Sequence, residues 1–184
     1  MMEEISIGFS PCPNDTFIFY AMMHEKVRDD KYRFDQIFED VETLNRMALE
    51  SRLDVTKVSY HALGYIRDEY CLLRSGGALG RGCGPLIVAR EACEIKDLLG
   101  KKIAVPGRYT TAFLLLQLHD PAFRNNAVFM PFHEIMESIK KGDVDAGVII
   151  HESRFTYQLY GLNEIMDLGR GGKTRPGFLF PLER

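Results

Sequence analysis

The short apolar run from Gly147 to Ile150 ends abruptly at His151, and a polar, helix-compatible segment follows. A run this short suits a strand buried on both faces of a parallel sheet. His151 then sits at the strand's carboxyl edge, where open α/β sheets bind their ligands. A neutral imidazole there is suited to removing a proton near pH 7; the plainer alternative is a histidine that caps the strand by bonding to a loop carbonyl. Three further junctions share the design: Phe9 to Ser10, Val58 to Ser59, and Val105 through Gly107 to Thr110 and Thr111. Each precedes an expected helix start, whose unpaired N–H groups and partial positive charge suit an anion, and a carboxylate is the natural inference. Plain N-capping explains any one junction. The histidine at the fourth and Gly107 at the third, where a missing side chain lets a ligand meet backbone, favour a shared site.

Other candidates carry less. Arg74, Arg81, Arg108 and Arg154 fall in or beside these loops and are able to fork onto a carboxylate, although an exposed arginine is usually a solvated charge. Cys12, Cys71, Cys83 and Cys93 lack metal or redox spacing and read as small buried hydrophobes. Cys12 is the exception to watch, between two prolines before a helix start, where a thiolate would be stabilised. His24, His61, His119 and His133 lie in or at the start of helical patterns without ligand spacing, so no metal is expected. Gly77 to Gly84 is glycine-rich but precedes a strand, which fails the dinucleotide context. Gly171 to Thr174 ends like a phosphate loop, yet Asp167 replaces its first glycine and Pro176 and Gly177 discourage the following helix.

The elements that must position these groups alternate as strand, loop and helix from the first residue onward, which makes the class α/β with a parallel or mixed sheet. Strands are expected at 5–9, 32–38, 55–58, 86–89, 102–105, 128–131 and 147–150. Helices are expected at 16–24, 40–51, 60–69, 110–118 and 133–141. The irregular, glycine-rich stretch 75–85 and the strand 86–89 suggest a hinge between lobes.

The bulk properties agree with a folded, soluble domain: 184 residues, 46% hydrophobic and 27% charged. Net charge is −3 from 23 basic and 26 acidic residues mixed along the chain, so neither nucleic acid nor a membrane is an expected partner, and a small-molecule carboxylate is. Glu3 and Glu4 stand where a secretory signal would carry basic residues, and no apolar run approaches a membrane span, so a cytoplasmic location is expected.

Several segments together are recognisable: S-P-C-P-N-D-T-F-I-F-Y from Ser10, E-D-V-E-T-L-N from Glu39, T-K-V-S-Y from Thr56, R-S-G-G-A-L-G-R-G from Arg74, V-P-G-R-Y-T-T-A from Val105, and I-I-H-E-S-R-F-T-Y from Ile149. From residue 5 to residue 169 the chain closely resembles the 1,4-dihydroxy-6-naphthoate synthase family of the futalosine route to menaquinone. The resemblance implies a two-lobed fold like the type II periplasmic solute-binding proteins. It also implies a lyase that cleaves cyclic dehypoxanthinyl futalosine with neither organic cofactor nor metal. His151 matches the family's general base. Lys57, Val58 and Ser59 match one substrate-binding segment and Thr111 with Ala112 another, beside Thr110; Ser10 and Asn14 of the first motif are assigned to substrate binding with them.

Lobe 1 is expected at 1–88, with 178–184 as a possible return strand, and lobe 2 at 89–177. After Gly169 the family continues with tryptophans, a return strand and further helices, whereas this chain has no tryptophan; the resemblance thus implies an incomplete first lobe with uncovered apolar surface. Two readings stay beside the enzyme: a non-catalytic small-anion-binding module or inactive fragment, and the related chorismate dehydratase, from which the His151 motif separates it.

Overall fold

The structure, a computed structural model, describes residues 2–27, 29–78 and 82–170. Two sheets organise it. The first is all parallel, in the order β2–β1–β3, from β1 (Glu3–Phe9), β2 (Tyr32–Phe38) and β3 (Val55–Thr56). Helix α1 (Pro13–Met23) links β1 to β2, and α2 (Val41–Leu49) links β2 to β3. Inside this lobe Phe9, fully buried, packs against Phe19 and Phe38 with ring centroids 4.7 and 4.6 Å away. The four-residue helix α3 (Tyr60–Leu63) follows β3.

The second sheet is mixed, in the order β6–β5–β7–β4–β8. Its strands are β4 (Leu86–Ala89), β5 (Ile103–Val105), β6 (Ala127–Phe129), β7 (Ala146–Ile149) and β8 (Asn163–Asp167). β5 pairs parallel with β6 and β7, while β4 runs antiparallel to β7 and β8. All four β4 residues therefore belong to this sheet.

Both faces of the second sheet's centre are covered, which is why β4, β5 and β7 read as short continuous apolar runs. Ile87, Ile103, Val105 and Val148 meet α4 (Thr111–His119) through Phe113 and Leu116 on one face. Leu86, Val88, Ala104 and Ile149 meet α5 (Ile135–Lys141) through Ile135 and Ile139 on the other. A Cβ on Gly147 would lie 2.5 Å from Ile135 Cγ2, so a glycine here lets α5 rest on the strand.

Several expected boundaries move for local reasons. α1 begins three residues early because Pro13 occupies the first helical turn, where its missing N–H costs nothing, and Cys12 Sγ accepts from Asp15 N at 3.5 Å. α3 stops at Gly64 and continues as turns through Tyr70 rather than as helix to Glu69. β8 was not anticipated: only Ile165 and Met166 of its five residues are apolar. The polar segment after His151 forms α6 (Ser153–Thr156) and a 3-10 turn. The decoy Gly171 to Thr174 and the return strand at 178–184 lie outside the described residues. No described helix is long and apolar enough to cross a membrane.

Candidate active site

The loop that leaves β1 delivers a buried acid. Asp15, in the first turn of α1, accepts from Ser10 N and Ser10 Oγ at 3.1 and 2.9 Å, so the Ser10 hydroxyl is committed inward rather than capping the helix. The other Asp15 oxygen accepts from Lys57 Nζ at 2.8 Å. Lys57 extends the β1–β3 ladder through its backbone N–H, which donates to Gly8 O at 2.8 Å, and this aims its side chain across the carboxyl edge. Asn14, one position before Asp15 on the helix, is exposed, and Val58 is half-buried.

His151 follows β7 in a left-handed conformation, φ +54°, unusual for any residue but glycine. Such strain, on the order of 1 kcal/mol, persists only where surroundings hold it, and its frequent home is a functional site. The imidazole meets Phe132 edge-on at 5.3 Å between centroids. Burial pushes its pKa below the ordinary histidine value; Glu152 and Asp15 oppose that fall, and Lys57 adds to it. The charges of Asp15 on α1 and of Lys57 after β3 are thus felt at the histidine.

A second group lies where the two sheets' helices meet. Ser59 stands at the start of α3 but makes no side-chain cap. Instead Asn45, fully buried on α2, donates from Nδ2 to Ser59 Oγ at 3.2 Å and accepts from Ser59 N at 2.9 Å. Thr110 does cap: its Oγ accepts from Phe113 N at 3.3 Å and donates to Gly107 O at 2.8 Å. For Thr110 the plain capping explanation therefore applies to the hydroxyl, whereas Ser59 is spent on positioning. Thr111 is half-buried at the first helical position and Ala112 packs into the core.

One link between the lobes is Glu42, a buried carboxylate on α2 that accepts from Arg108 N and Tyr109 N at 2.9 and 3.0 Å. Gly107, φ +155°, makes the approach possible, since a Cβ there would fall 2.4 Å from Glu42 Oε2. Neither Asp15 nor Glu42 was singled out from sequence. An acid in the first turn of a helix is favourable there whatever its role, so position alone does not mark it. The acid inside the proline-flanked Ser10 motif was the available signal for Asp15.

Of the arginines, Arg154 turns inward to the protein: Nη1 donates to Gly84 O at 2.6 Å and Nη2 to Asp167 Oδ2 at 2.7 Å. Burial alone would raise Asp167, but bonds from Arg154 and Gly169 N hold it below the usual carboxylate range. Arg154 is thus a structural fork, not a free one. Arg81 lies outside the described residues. Cys12 is buried as expected, but Cys71, ahead of the glycine-rich stretch, and Cys83, within it, are exposed, correcting the reading of both as core residues. Among the described residues no three His, Cys, Asp or Glu side chains gather to hold a metal.

Comparison with known proteins fits this arrangement. The family model for menaquinone biosynthesis matches residues 5–182. The chain is 52% identical over 181 residues to a 1,4-dihydroxy-6-naphthoate synthase from Thermus thermophilus, covering 98% of this chain and 65% of that protein. It is 47% identical over 184 residues to the enzyme of the same name from Streptomyces coelicolor, with 98% and 64% covered. The chain thus spans less than two thirds of either relative. Among solved structures, the alkanesulfonate-binding protein of Xanthomonas axonopodis pv. citri, bound to MOPS, superposes with a TM-score of 0.67 at 14% identity, over 93% of this chain and 63% of that one. The α/β architecture is that of the periplasmic binding proteins.

Proposed function

This chain belongs to the menaquinone biosynthesis family, and from that premise we propose that it acts as a 1,4-dihydroxy-6-naphthoate synthase, a lyase converting cyclic dehypoxanthinyl futalosine to 1,4-dihydroxy-6-naphthoate. The observation that carries the reading is His151: a half-buried imidazole on a strained backbone at the carboxyl edge of β7, within electrostatic reach of the Asp15–Lys57 pair. Neutral near pH 7, it removes a proton from substrate carbon. The released electron pair drives cleavage of a carbon–carbon bond and the ring system becomes aromatic, which supplies the driving force. His151 then holds the proton until the departing fragment or solvent takes it.

Lys57, Val58 and Ser59 bind one end of the substrate, and Thr110, Thr111 and Ala112 the other, with the exposed Asn14 at the rim and the buried Ser10 beneath it. Lys57 is already balanced by Asp15, so its hold on an anion is tempered and directional. Asn45 fixes the Ser59 hydroxyl so that it meets developing oxyanion charge without reorganising. The division into lobes 1–88 and 89–177, with the substrate between them and water excluded by closure, belongs to the same proposal, as does a cytoplasmic location.

The test is incubation of the purified chain with cyclic dehypoxanthinyl futalosine, followed by chromatography. We expect the dihydroxynaphthoate to accumulate. Substrate that binds but is recovered unchanged would make this a binding module and contradict the proposal.

A further inference from the structure

Three strand ends lie side by side at the edge that carries His151. Leu86, the first residue of β4, pairs with Ile149 at the end of β7 and with Asp167 at the end of β8. The chain therefore enters the second sheet, and leaves it, beside the strand end that His151 follows by two residues. The entering and leaving backbones touch: Leu168 N donates to Pro85 O at 2.9 Å, and a Cβ on Gly84 would fall 2.3 Å from Gly169 Cα. A Cβ on Gly169 would likewise fall 2.6 Å from Gly84 Cα, so neither position has room for a side chain.

Arg154 reaches this crossing from the His151 side. Its guanidinium gives one donor to each segment, Nη1 to Gly84 O at 2.6 Å and Nη2 to Asp167 Oδ2 at 2.7 Å, and Asp167 Oδ1 closes the corner by accepting from Gly169 N at 2.8 Å. The pair lies largely out of solvent, where such a charge-assisted fork is strong and directional. At its other end Arg154 belongs to the turn that leaves β7: its backbone N–H donates to His151 O at 3.3 Å as α6 begins. One residue thus holds the left-handed turn by its backbone and the crossing by its side chain. A pair serving stability alone requires only Asp167; the bond to Gly84 O adds the entering segment, and the place three residues after His151 ties both segments to the histidine. Strain of the kind seen at His151 persists where neighbours over-determine the backbone. Phe132 meets the imidazole ring, whereas Arg154 acts on the backbone that carries it.

We propose that Arg154 is a positioning residue for His151: its fork fixes the turn after β7 against the crossing of the chain and so holds the imidazole in one orientation. Its meaning for catalysis rests on the function proposed above, whereas the placement of His151 is measurable without turnover. Placement matters to a base, since a misplacement of about 1 Å is able to cost on the order of 10²-fold in rate.

The test compares the full chain with Arg154→Lys, Arg154→Met and Phe123→Leu, with circular dichroism confirming that each is folded. Lysine keeps the charge but loses the planar fork that serves two acceptors at once. Phe123 is buried beside β6, at the opposite edge of the sheet from β8, and its replacement is the control for lost stability alone. The histidine Cε1–H resonances, five in the parent, are followed against pH by NMR, with His151 assigned from its absence in His151→Gln. In the parent, burial holds the His151 pKa below the ordinary value against Glu152 and Asp15, with Lys57 adding to the fall. None of these groups changes in Arg154→Lys, so a moved titration reports geometry. Both Arg154 variants should shift the His151 resonance and titrate it at higher pH, nearer the ordinary value, as the loosened turn exposes the ring. Their kcat should fall about tenfold or more with KM changed less than about threefold, lysine losing less than methionine. Phe123→Leu should lower the melting temperature and leave the His151 titration and kcat as in the parent. An unchanged titration in both Arg154 variants, an unchanged kcat in both where the parent is active, or an equal move in Phe123→Leu would overturn the proposal. A parent that gives no product while the titration moves as expected would uphold the positioning and contradict the function proposed above.

Discussion

At the residue scale the account turns on the protonation of His151. Its folded pKa lies below the ordinary value near 6.5, so the folded state resists a proton that the unfolded chain accepts. Stability from this group is present above that value and falls as pH drops through the folded pKa. His151→Gln should lessen the acid sensitivity of unfolding, as read from denaturation midpoints between neutral and mildly acidic pH. The rate of product formation should lose its acid side below the ordinary histidine range, where the base becomes protonated. Arg154 gives a second check: with Asp167 it forms a pair largely out of solvent, at 12% and 4% side-chain exposure. Arg154→Met leaves that carboxylate with only the exposed Arg170 and the Gly169 N–H as partners and should cost about 2 kcal/mol in chemical denaturation. His151 was legible in the sequence because an apolar strand stops at it. Asp15 was not, because its partner Lys57 is 42 residues away and nothing local joins them.

At the level of elements, β4, the β2 strand and the helical runs α2, α4 and α5 were readable from periodicity, since their apolar faces repeat at the period their structure needs. β8 escaped because it is a mostly polar edge strand whose place is set by pairing with β4, register bulge included, rather than by its own pattern. α3 was overextended because the apolar spacing of Ala62 and Ile66 continues through residues that the structure folds as turns. The joint between α2 and the loop before α4 is where element geometry meets the site. Gly107→Ala would drive a Cβ into Glu42 and strain the backbone, so the two amides of Arg108 and Tyr109 would lose their carboxylate. We expect about 2 kcal/mol of destabilisation and a raised KM with kcat changed less, because the Thr110 segment would be displaced while His151 is untouched. Equal KM with an unchanged melting temperature would show that this bridge does not hold the segment.

Over the whole molecule, alternation of strand and helix was enough to read an α/β class, and the quoted motifs were enough to read the family. A buried carboxylate that ties the two sheets was not legible: the Glu42 contacts span 66 and 67 residues and depend on the fold being assembled. The first lobe also presents apolar side chains to solvent, with Phe17 at 84% exposure on a helix whose buried residue is Asp15. Phe17→Ser should therefore reduce self-association in light scattering without lowering the melting temperature, since it uncovers no core.

The most direct measurement compares the parent chain with His151→Ala on cyclic dehypoxanthinyl futalosine, reading product by chromatography and substrate affinity by calorimetry on the same preparations. The account predicts product from the parent, a fall of about 10²-fold or more in the variant, and affinity within a few-fold between them. A variant that turns over at the parental rate, or a parent that binds the substrate and leaves it intact, would contradict it.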